Sequence, residues 1–380
     1  MNLFDVYPLF NITPVKAEGS YLWDETGTKY LDLYGGHAVI SIGHSHPHYV
    51  QKLTNQLARI GFYSNSVKIP QQEELAAKLG ALSGYPDYNL FLINSGAEAN
   101  ENALKVASFY NGRKKVLAFT KAFHGRTSAA VAITPDPSIL APLNANHETV
   151  FLPFNDLEAL ENLKNPNEIC AVIIEGIQGV GGVNIPTPEF LQALRTFCNN
   201  HNAVLILDEI QSGYGRSGKF FAHQHSNIQA DIVTVAKGMG NGFPVAGVLI
   251  HPKFQAKHGM LGTTFGGNYL ACAAAIAVLD VIQEENLLVN AAAIGNYLMQ
   301  NLSTIEGILE IRGKGLMIGV ELPDNAAATR KQLLEEHHIF LGSSSNKNTI
   351  RILPALNLQK PEADIFLEAF QAVLAKTYAL

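Results

Sequence analysis

Ala203-Val204-Leu205-Ile206-Leu207 runs directly into Asp208-Glu209-Ile210-Gln211, and Asp231-Ile232-Val233-Thr234-Val235-Ala236 runs into Lys237-Gly238-Met239-Gly240. Neither apolar run alternates with polar residues, which is the pattern of strands buried on both faces and so of a parallel sheet. The first run ends on a carboxylate and the second on an amine. Strands of one parallel sheet would deliver both groups to its carboxyl edge, where open α/β sheets bind their ligands. Taken singly, Asp208 also suits a helix N-cap and Lys237 a solvated loop, so the neighbouring segments decide.

Asn89-Leu90-Phe91-Leu92-Ile93 reads as a further strand and leads into Asn94-Ser95-Gly96-Ala97-Glu98-Ala99-Asn100. A helical stripe follows, formed by Ala99, Ala103, Val106, Ala107 and Tyr110. Strand, small-residue turn and helix start together present backbone N–H groups where a phosphate can sit. Ser95 adds a hydroxyl, and a helix start attracts an anion by roughly 0.3–1 kcal/mol. Val116-Leu117-Ala118-Phe119 is another short strand, followed by Lys121-Ala122-Phe123-His124-Gly125-Arg126-Thr127. Phe123 offers an aromatic face, and Arg126 a planar fork matched to a carboxylate. Amine, acid, phosphate cradle and aromatic plate suit a pyridoxal phosphate enzyme. The lysine would hold the aldehyde as a Schiff base, and the aspartate would keep the pyridine nitrogen protonated.

From about Tyr7 to about Ala375 the chain resembles class III pyridoxal phosphate-dependent aminotransferases, and among them the acetylornithine and succinylornithine aminotransferases. The resemblance rests on an ordered set: Gly43-His44-Ser45-His46-Pro47, Asn94 to Asn100, Phe123 to Thr127, Glu175-Gly176-Ile177-Gln178-Gly179, Asp208 to Gln211, Lys237-Gly238, Gly262-Thr263-Thr264-Phe265-Gly266-Gly267-Asn268, and Ile350-Arg351-Ile352-Leu353-Pro354. It implies an α/β protein of the fold type I transferase class. A large cofactor-binding domain at 46–280 would hold a mostly parallel seven-stranded sheet. Residues 281–380 would form a smaller α+β domain, and 1–45 an N-terminal segment joining the small lobe and a dimer interface. Lys237 and Asp208 are then the catalytic pair. Ser95, Gly96 and Ala97 would bind the phosphate, Phe123 would stack on the ring, and Gln211 would reach its phenolic oxygen. Thr264 would contribute from the partner subunit, and Thr263 would line the substrate pocket. Arg126 would hold the α-carboxylate of an acylated ornithine, and Arg351 the second carboxylate of glutamate.

The reaction so implied moves the terminal amine of N-acylornithine, acetyl favoured, to 2-oxoglutarate. It gives N-acylglutamate 5-semialdehyde and glutamate, within arginine biosynthesis. Succinylornithine, ornithine or 4-aminobutyrate as the amine donor are the alternatives. A cofactor-binding regulator without turnover is an alternative of another class.

Two positions depart from the family pattern. Gln178-Gly179-Val180-Gly181-Gly182 carries Val180 where the family commonly has a glutamate that pairs with the Arg351 position. Arg351 would then stay open to glutamate unless Glu175 or Glu209 takes the missing role. His37, in Tyr34-Gly35-Gly36-His37-Ala38-Val39, stands where an apolar residue is usual. It either lines the acyl end of the pocket or is a hydrogen-bonded structural histidine. For a succinyl carboxylate, His37, Lys68 and Arg126 are the candidate donors.

The remaining composition narrows the setting. A chain of 380 residues exceeds the size at which single cores usually stop growing, and two lobes are expected. A net charge of −6 without a basic stripe argues against nucleic-acid binding. Cys170, Cys198 and Cys272 are few, odd in number and widely spaced, which suggests reduced thiols in the cytoplasm. No signal-peptide pattern opens the chain, and the apolar stretch Tyr269 to Leu279 is too short for a bilayer. His44, His46 and His48 lack the carboxylate or thiol that would complete a metal set, so no metal is expected. Residues 1–45 read as irregular with a small hairpin, Gly19 to Asp24 against Lys29 to Asp32. Ile365, Phe366, Ala369, Phe370, Val373 and Leu374 define the apolar face of a last helix, expected to pack the smaller lobe onto its own sheet.

Overall fold

The computed structural model describes residues 1–378. Its centre is a seven-stranded sheet in the order Asn89–Ile93, Ala246–Ile250, Ile232–Val235, Val204–Asp208, Ile169–Glu175, Lys115–Phe119, Thr149–Leu152. Only Ala246–Ile250 runs antiparallel to its neighbours; the other pairings are parallel. The unbroken apolar runs find their reason here. Val204 through Leu207 are fully buried, as are Ile232, Val233 and Val235, because helices cover both faces. Register then fixes the chemistry: Asp208 lies beside Glu175 on one side and Thr234 on the other. Lys237 follows immediately beyond the next strand.

The helix Gly96–Asn111 starts under the cap of Ser95 and buries Ala99, Ala103, Val106 and Ala107 against the sheet. Tyr110, expected on the same stripe, is half exposed and sets its ring edge against Phe254 at 4.8 Å. Its position at the last turn carries it past the sheet, and a phenol tolerates water.

The N-terminal region is more ordered than its sequence suggests. Pro14–Glu18, Tyr21–Asp24 and Lys29–Asp32 form an antiparallel sheet, completed by Ile339–Phe340, which pairs in parallel with Lys29–Asp32. The hairpin expected at 19–32 is therefore part of a four-stranded sheet that ties the beginning of the chain to its last quarter. A third sheet, Glu310–Lys314, Met317–Glu321 and Thr349–Ile352, carries Arg351. The last helix, Lys360–Tyr378, buries Phe366, Ala369, Phe370, Val373 and Leu374. Ile365 is exposed, so the apolar face is narrower than expected. This helix packs on the helices Ala327–His337 and Leu287–Leu302 and shares one buried core with Ile318, Val320, Ile350 and Ile352 of the third sheet. Among the described residues no helix is long and apolar enough to cross a membrane.

Gly295, within the helix Leu287–Leu302, marks the closest approach of that helix to the third sheet. A Cβ there would lie 2.1 Å from the carbonyl oxygen of Gly315. Alanine normally gains about 1 kcal/mol over glycine inside a helix, but contact with backbone cannot be relieved by a rotamer change. Gly295→Ala is therefore predicted to destabilise by about 1–3 kcal/mol, measurable as a lower denaturation midpoint. A stabilised variant would show that the helix stands off further than described.

Candidate active site

A cavity of about 390 Å³ opens at the carboxyl edge of the central sheet. Its wall includes Ser95, Gly96, Ala97, Phe123, Arg126, Asp208, Gln211 and Lys237, eight residues singled out in the sequence, together with Glu175, Val180 and Ile210. Residues more than a hundred positions apart meet because consecutive parallel strands end at the same edge.

Asp208 is 3 % exposed and held from several sides. One carboxylate oxygen accepts from Asn100 Nδ2 at 2.9 Å and His124 Nδ1 at 2.7 Å, and the other from the backbone N–H of Ile210 at 3.1 Å. Thr234 Oγ1 in turn donates to Asn100 Oδ1 at 2.9 Å. Asn100 and His124 were legible only as members of the quoted motifs, not as partners of the acid. Their sequence signal, an Asn one turn into a helix and a His after Phe, is shared by many ordinary caps and loops.

Lys237 adopts φ +44°, a left-handed conformation that costs a non-glycine residue roughly 1–2 kcal/mol. The surrounding loop holds it there. Ser41 Oγ donates to the Gly238 carbonyl and Tyr49 Oη to the Gly240 carbonyl, each at 2.7 Å. Asn241 Oδ1 accepts from the N–H groups of Ser41 and Ile42. Among the described residues the Lys237 amine has no hydrogen-bond or salt-bridge partner. Burial pushes its pKa down, aided by the charge of Arg351, and the carboxylates of Asp208 and Glu175 oppose the shift without cancelling it. The result is an amine more readily neutral than that of a solvated lysine.

At the other end of the cavity Ser95 accepts from the Glu98 N–H at 3.3 Å and caps the helix. The N–H groups of Gly96 and Ala97 belong to the first helical turn, which has no carbonyl partners within the helix. A Cβ at Gly96 would sit 2.9 Å from Ile210, so glycine keeps this end of the cavity open. An amine, an anchored acid and an anion-binding helix start around one cavity fit pyridoxal phosphate, with Lys237, Asp208 and the 95–97 turn as the groups that would hold it.

Gln211 links the cavity to the third sheet. Its Nε2 donates to the His37 carbonyl at 3.0 Å, and its Oε1 accepts from Arg351 at 3.2 Å. Arg351 is 2 % exposed and also donates to the Ser343 carbonyl. Among the described residues it has no ion-pair partner. Glu175 spends its two oxygens on the N–H groups of Phe123 at 3.0 Å and Gly179 at 2.9 Å. Glu209 is taken by His223, Ser212 and the Ala222 N–H. Neither acid replaces the missing partner of Arg351. Val180 lines the cavity, and its carbonyl accepts from both the N–H and the hydroxyl of Ser345.

Thr263 and Thr264 do not line this cavity. Thr263 Oγ1 accepts from the Gly266 N–H at 3.0 Å, and Thr264 is exposed beside Phe265. Lys68 is exposed and also lies outside the cavity wall. The three histidines near position 46 are separated: His44 binds Asp32, His46 binds Glu285 and His48 binds Asp280.

The fold and this cavity define a pyridoxal phosphate-dependent aminotransferase. The chain belongs to the aminotransferase class-III family, whose model matches residues 5–374. It is 39% identical to the acetylornithine aminotransferase of Nitrosomonas europaea, over 98% of this chain and 97% of that one. It is 40% identical to the acetylornithine aminotransferase of Bacillus subtilis, over 95% and 94% of the two chains. The ornithine aminotransferase of Toxoplasma gondii, solved with pyridoxal phosphate partly occupying its active site, superposes with a TM-score of 0.89. Its identity is 28%, covering 98% of this chain and 92% of the other.

Glu175 supplies a pH test. Burial, helped by the nearby Asp208, pushes its carboxyl up from 4.5 to about 7 against the two N–H donors and His124. The folded protein therefore binds more protons than the unfolded chain across that interval. The stability contributed by this group is complete below pH 4.5 and is lost as the pH rises through 7. Cofactor-free protein should lose about 3 kcal/mol from this source between those limits. Glu175→Gln should flatten that slope in a urea-midpoint series; an unchanged slope would show that Glu175 does not titrate there.

Proposed function

We propose that the protein transfers the terminal amino group of an N-acylornithine to 2-oxoglutarate, as a step of arginine biosynthesis in the cytoplasm. The observation that carries the reading is the unpartnered Lys237 amine on the same cavity wall as the anchored Asp208, with Arg126 on that wall and Arg351 hydrogen-bonded to the wall residue Gln211. The curated relatives named above, acetylornithine aminotransferases, support this choice of amine donor.

Bound pyridoxal phosphate supplies an electrophilic aldehyde and a ring that withdraws electrons from the reacting carbon. The chain's own groups do the rest. Lys237 would hold the cofactor through its amine, which burial makes more readily neutral, and would be the group that moves a proton at the substrate carbon. Asp208, fixed by its two side-chain donors, would hold a proton on the ring nitrogen. Ser95, Gly96 and Ala97 would bind the phosphate, Phe123 would pack on the ring, and Gln211 would hold its phenolic oxygen. Arg126 orients the α-carboxylate of the acylornithine, and Arg351 takes the α-carboxylate of glutamate.

The active unit in this reading is a homodimer. Leu57, Phe62, Tyr63, Val67 and Phe265 form exposed apolar surface around the loop of Thr264, and a second copy would cover it. Thr264 would then reach the partner's phosphate site and Thr263 its substrate pocket. Within each protomer the division lies near residues 46 and 281.

Lys237→Ala should abolish the visible absorbance of the bound cofactor and slow amine transfer from N-acetylornithine by at least about 10²–10⁴-fold. Retention of either property would remove Lys237 from the chemistry. Amine release from ornithine or 4-aminobutyrate faster than from any acylornithine would move the protein to those substrates.

Val180 gives a second test. With no acid beside it, Arg351 binds glutamate without first breaking an ion pair. Val180→Glu is expected to raise the KM for glutamate about tenfold relative to that for acylornithine. An unchanged ratio would show that Val180 has no part in discrimination.

A further inference from the structure

Arg312, Gly319 and Arg351 form one row across the third sheet. Arg312 pairs with Gly319 and Gly319 with Arg351, both antiparallel. Residues directly opposite in such pairs project to the same face. Two arginines therefore flank a position that has no side chain. The gap is filled by the loop 179–183. A Cβ at Gly319 would stand 3.0 Å from both the Gly182 carbonyl oxygen and the Val183 Cβ, so glycine is what lets the loop lie on the sheet.

The loop is closed at its base and strained. Gln178 and Asn184 exchange backbone hydrogen bonds at 2.9 and 3.1 Å. Val183, beside Asn184, adopts φ +61° while fully buried. A β-branched residue rarely takes that conformation, and it persists only where its surroundings over-determine it. The third sheet and the turn beside it supply that restraint. Arg312 Nε donates to the Gly182 carbonyl at 2.8 Å. Its other two nitrogens bind Glu310 at 2.8 Å, Glu321 at 2.6 Å and Thr349 Oγ1 at 2.9 Å. The guanidinium fork is thus fixed to the sheet, with one arm reaching across to the loop. Ser345 adds its N–H at 2.8 Å and its hydroxyl at 3.2 Å to the Val180 carbonyl.

The other side of the loop meets the cavity. Val180 lines its wall. Gly179 lies against Gln211: a Cβ at Gly179 would stand 1.7 Å from Gln211 Oε1, the oxygen that accepts from Arg351. The loop is therefore wedged between the Arg312 latch and the Gln211–Arg351 contact. Arg126 stands apart from this, on the stretch of cavity wall that follows the strand Lys115–Phe119. The two arginines assigned to substrate carboxylates have separate supports, and only Arg351 depends on the loop.

We propose that Arg312 is a positioning residue, which fastens the 179–183 loop to the third sheet and so keeps Arg351 in register with the cavity for glutamate and 2-oxoglutarate. The proposal rests on the reading of Arg351 as the glutamate site and names what holds that site in place. Arg312 itself lies outside the cavity wall and touches no reacting atom.

The test separates two half-reactions of purified holoenzyme, one with glutamate and one with N-acetylornithine, each followed by the loss of cofactor absorbance. Arg312→Met keeps the stem and removes the fork. It should raise the KM for glutamate about tenfold, with kcat and the KM for N-acetylornithine within about twofold of native and the cofactor spectrum unchanged. Arg312→Lys should recover part of the loss. Glu310→Gln, which gives up an exposed partner of Arg312 and spares the Gly182 bond, should match the native protein. Gly319→Ala presses the loop off the sheet with Arg312 intact and should raise the same KM, which serves if the Arg312 variants do not fold. An equal rise in both KM values, a fall in kcat alone, or no change would overturn the proposal and leave the acylornithine reading intact. Native holoenzyme that reacts with N-acetylornithine but not with glutamate would instead overturn the assignment of Arg351, and the proposal with it.

Discussion

An ionised carboxylate and an amine at the end of a buried sheet are costly unless the fold supplies each with the right surroundings. Everything at this site depends on how that constraint is met. Asp208, although nearly inaccessible, receives two side-chain donors and one backbone donor. Lys237 receives none, and burial shifts it toward the neutral amine. One sheet edge thus sets a well-bonded acid and an unpartnered amine on the wall of one cavity. The parallel register makes this possible because it ends Val204–Asp208 and Ile232–Val235 together.

The central sheet was readable from sequence because burial on both faces forces an apolar vocabulary. Four of its seven strands appear as quoted runs, and the cradle at 95–97 follows from strand, small turn and helix start. The N-terminal sheet was not readable, since Lys29–Asp32 gains its outer neighbour from Ile339–Phe340, some three hundred residues away. Local pattern cannot announce a two-residue strand. Tyr110 and Ile365 fit a helical period yet face water, because periodicity gives a direction and not the extent of the neighbouring surface. Asn100 and His124 escaped for another reason. Their importance lies in what they do for Asp208, and neither residue type at that spacing differs from an ordinary cap or loop.

The distribution of charge adds a point that fold alone would not give. Each acid near the cavity has its oxygens engaged by N–H groups or histidines, whereas Arg351 is buried with only a carbonyl and an amide for partners. An unpaired buried guanidinium is a standing cost. The left-handed backbone of Lys237 is likewise a local conformational cost retained on the cavity wall.

The attachment of the cofactor to Lys237 is the claim on which the rest stands, and chemical trapping tests it most directly. Purified holoenzyme would be reduced with sodium borohydride, digested and mapped by mass spectrometry. The account predicts a pyridoxyl adduct on the peptide containing Lys237 and on no other lysine peptide. An adduct confined to a different lysine would contradict it.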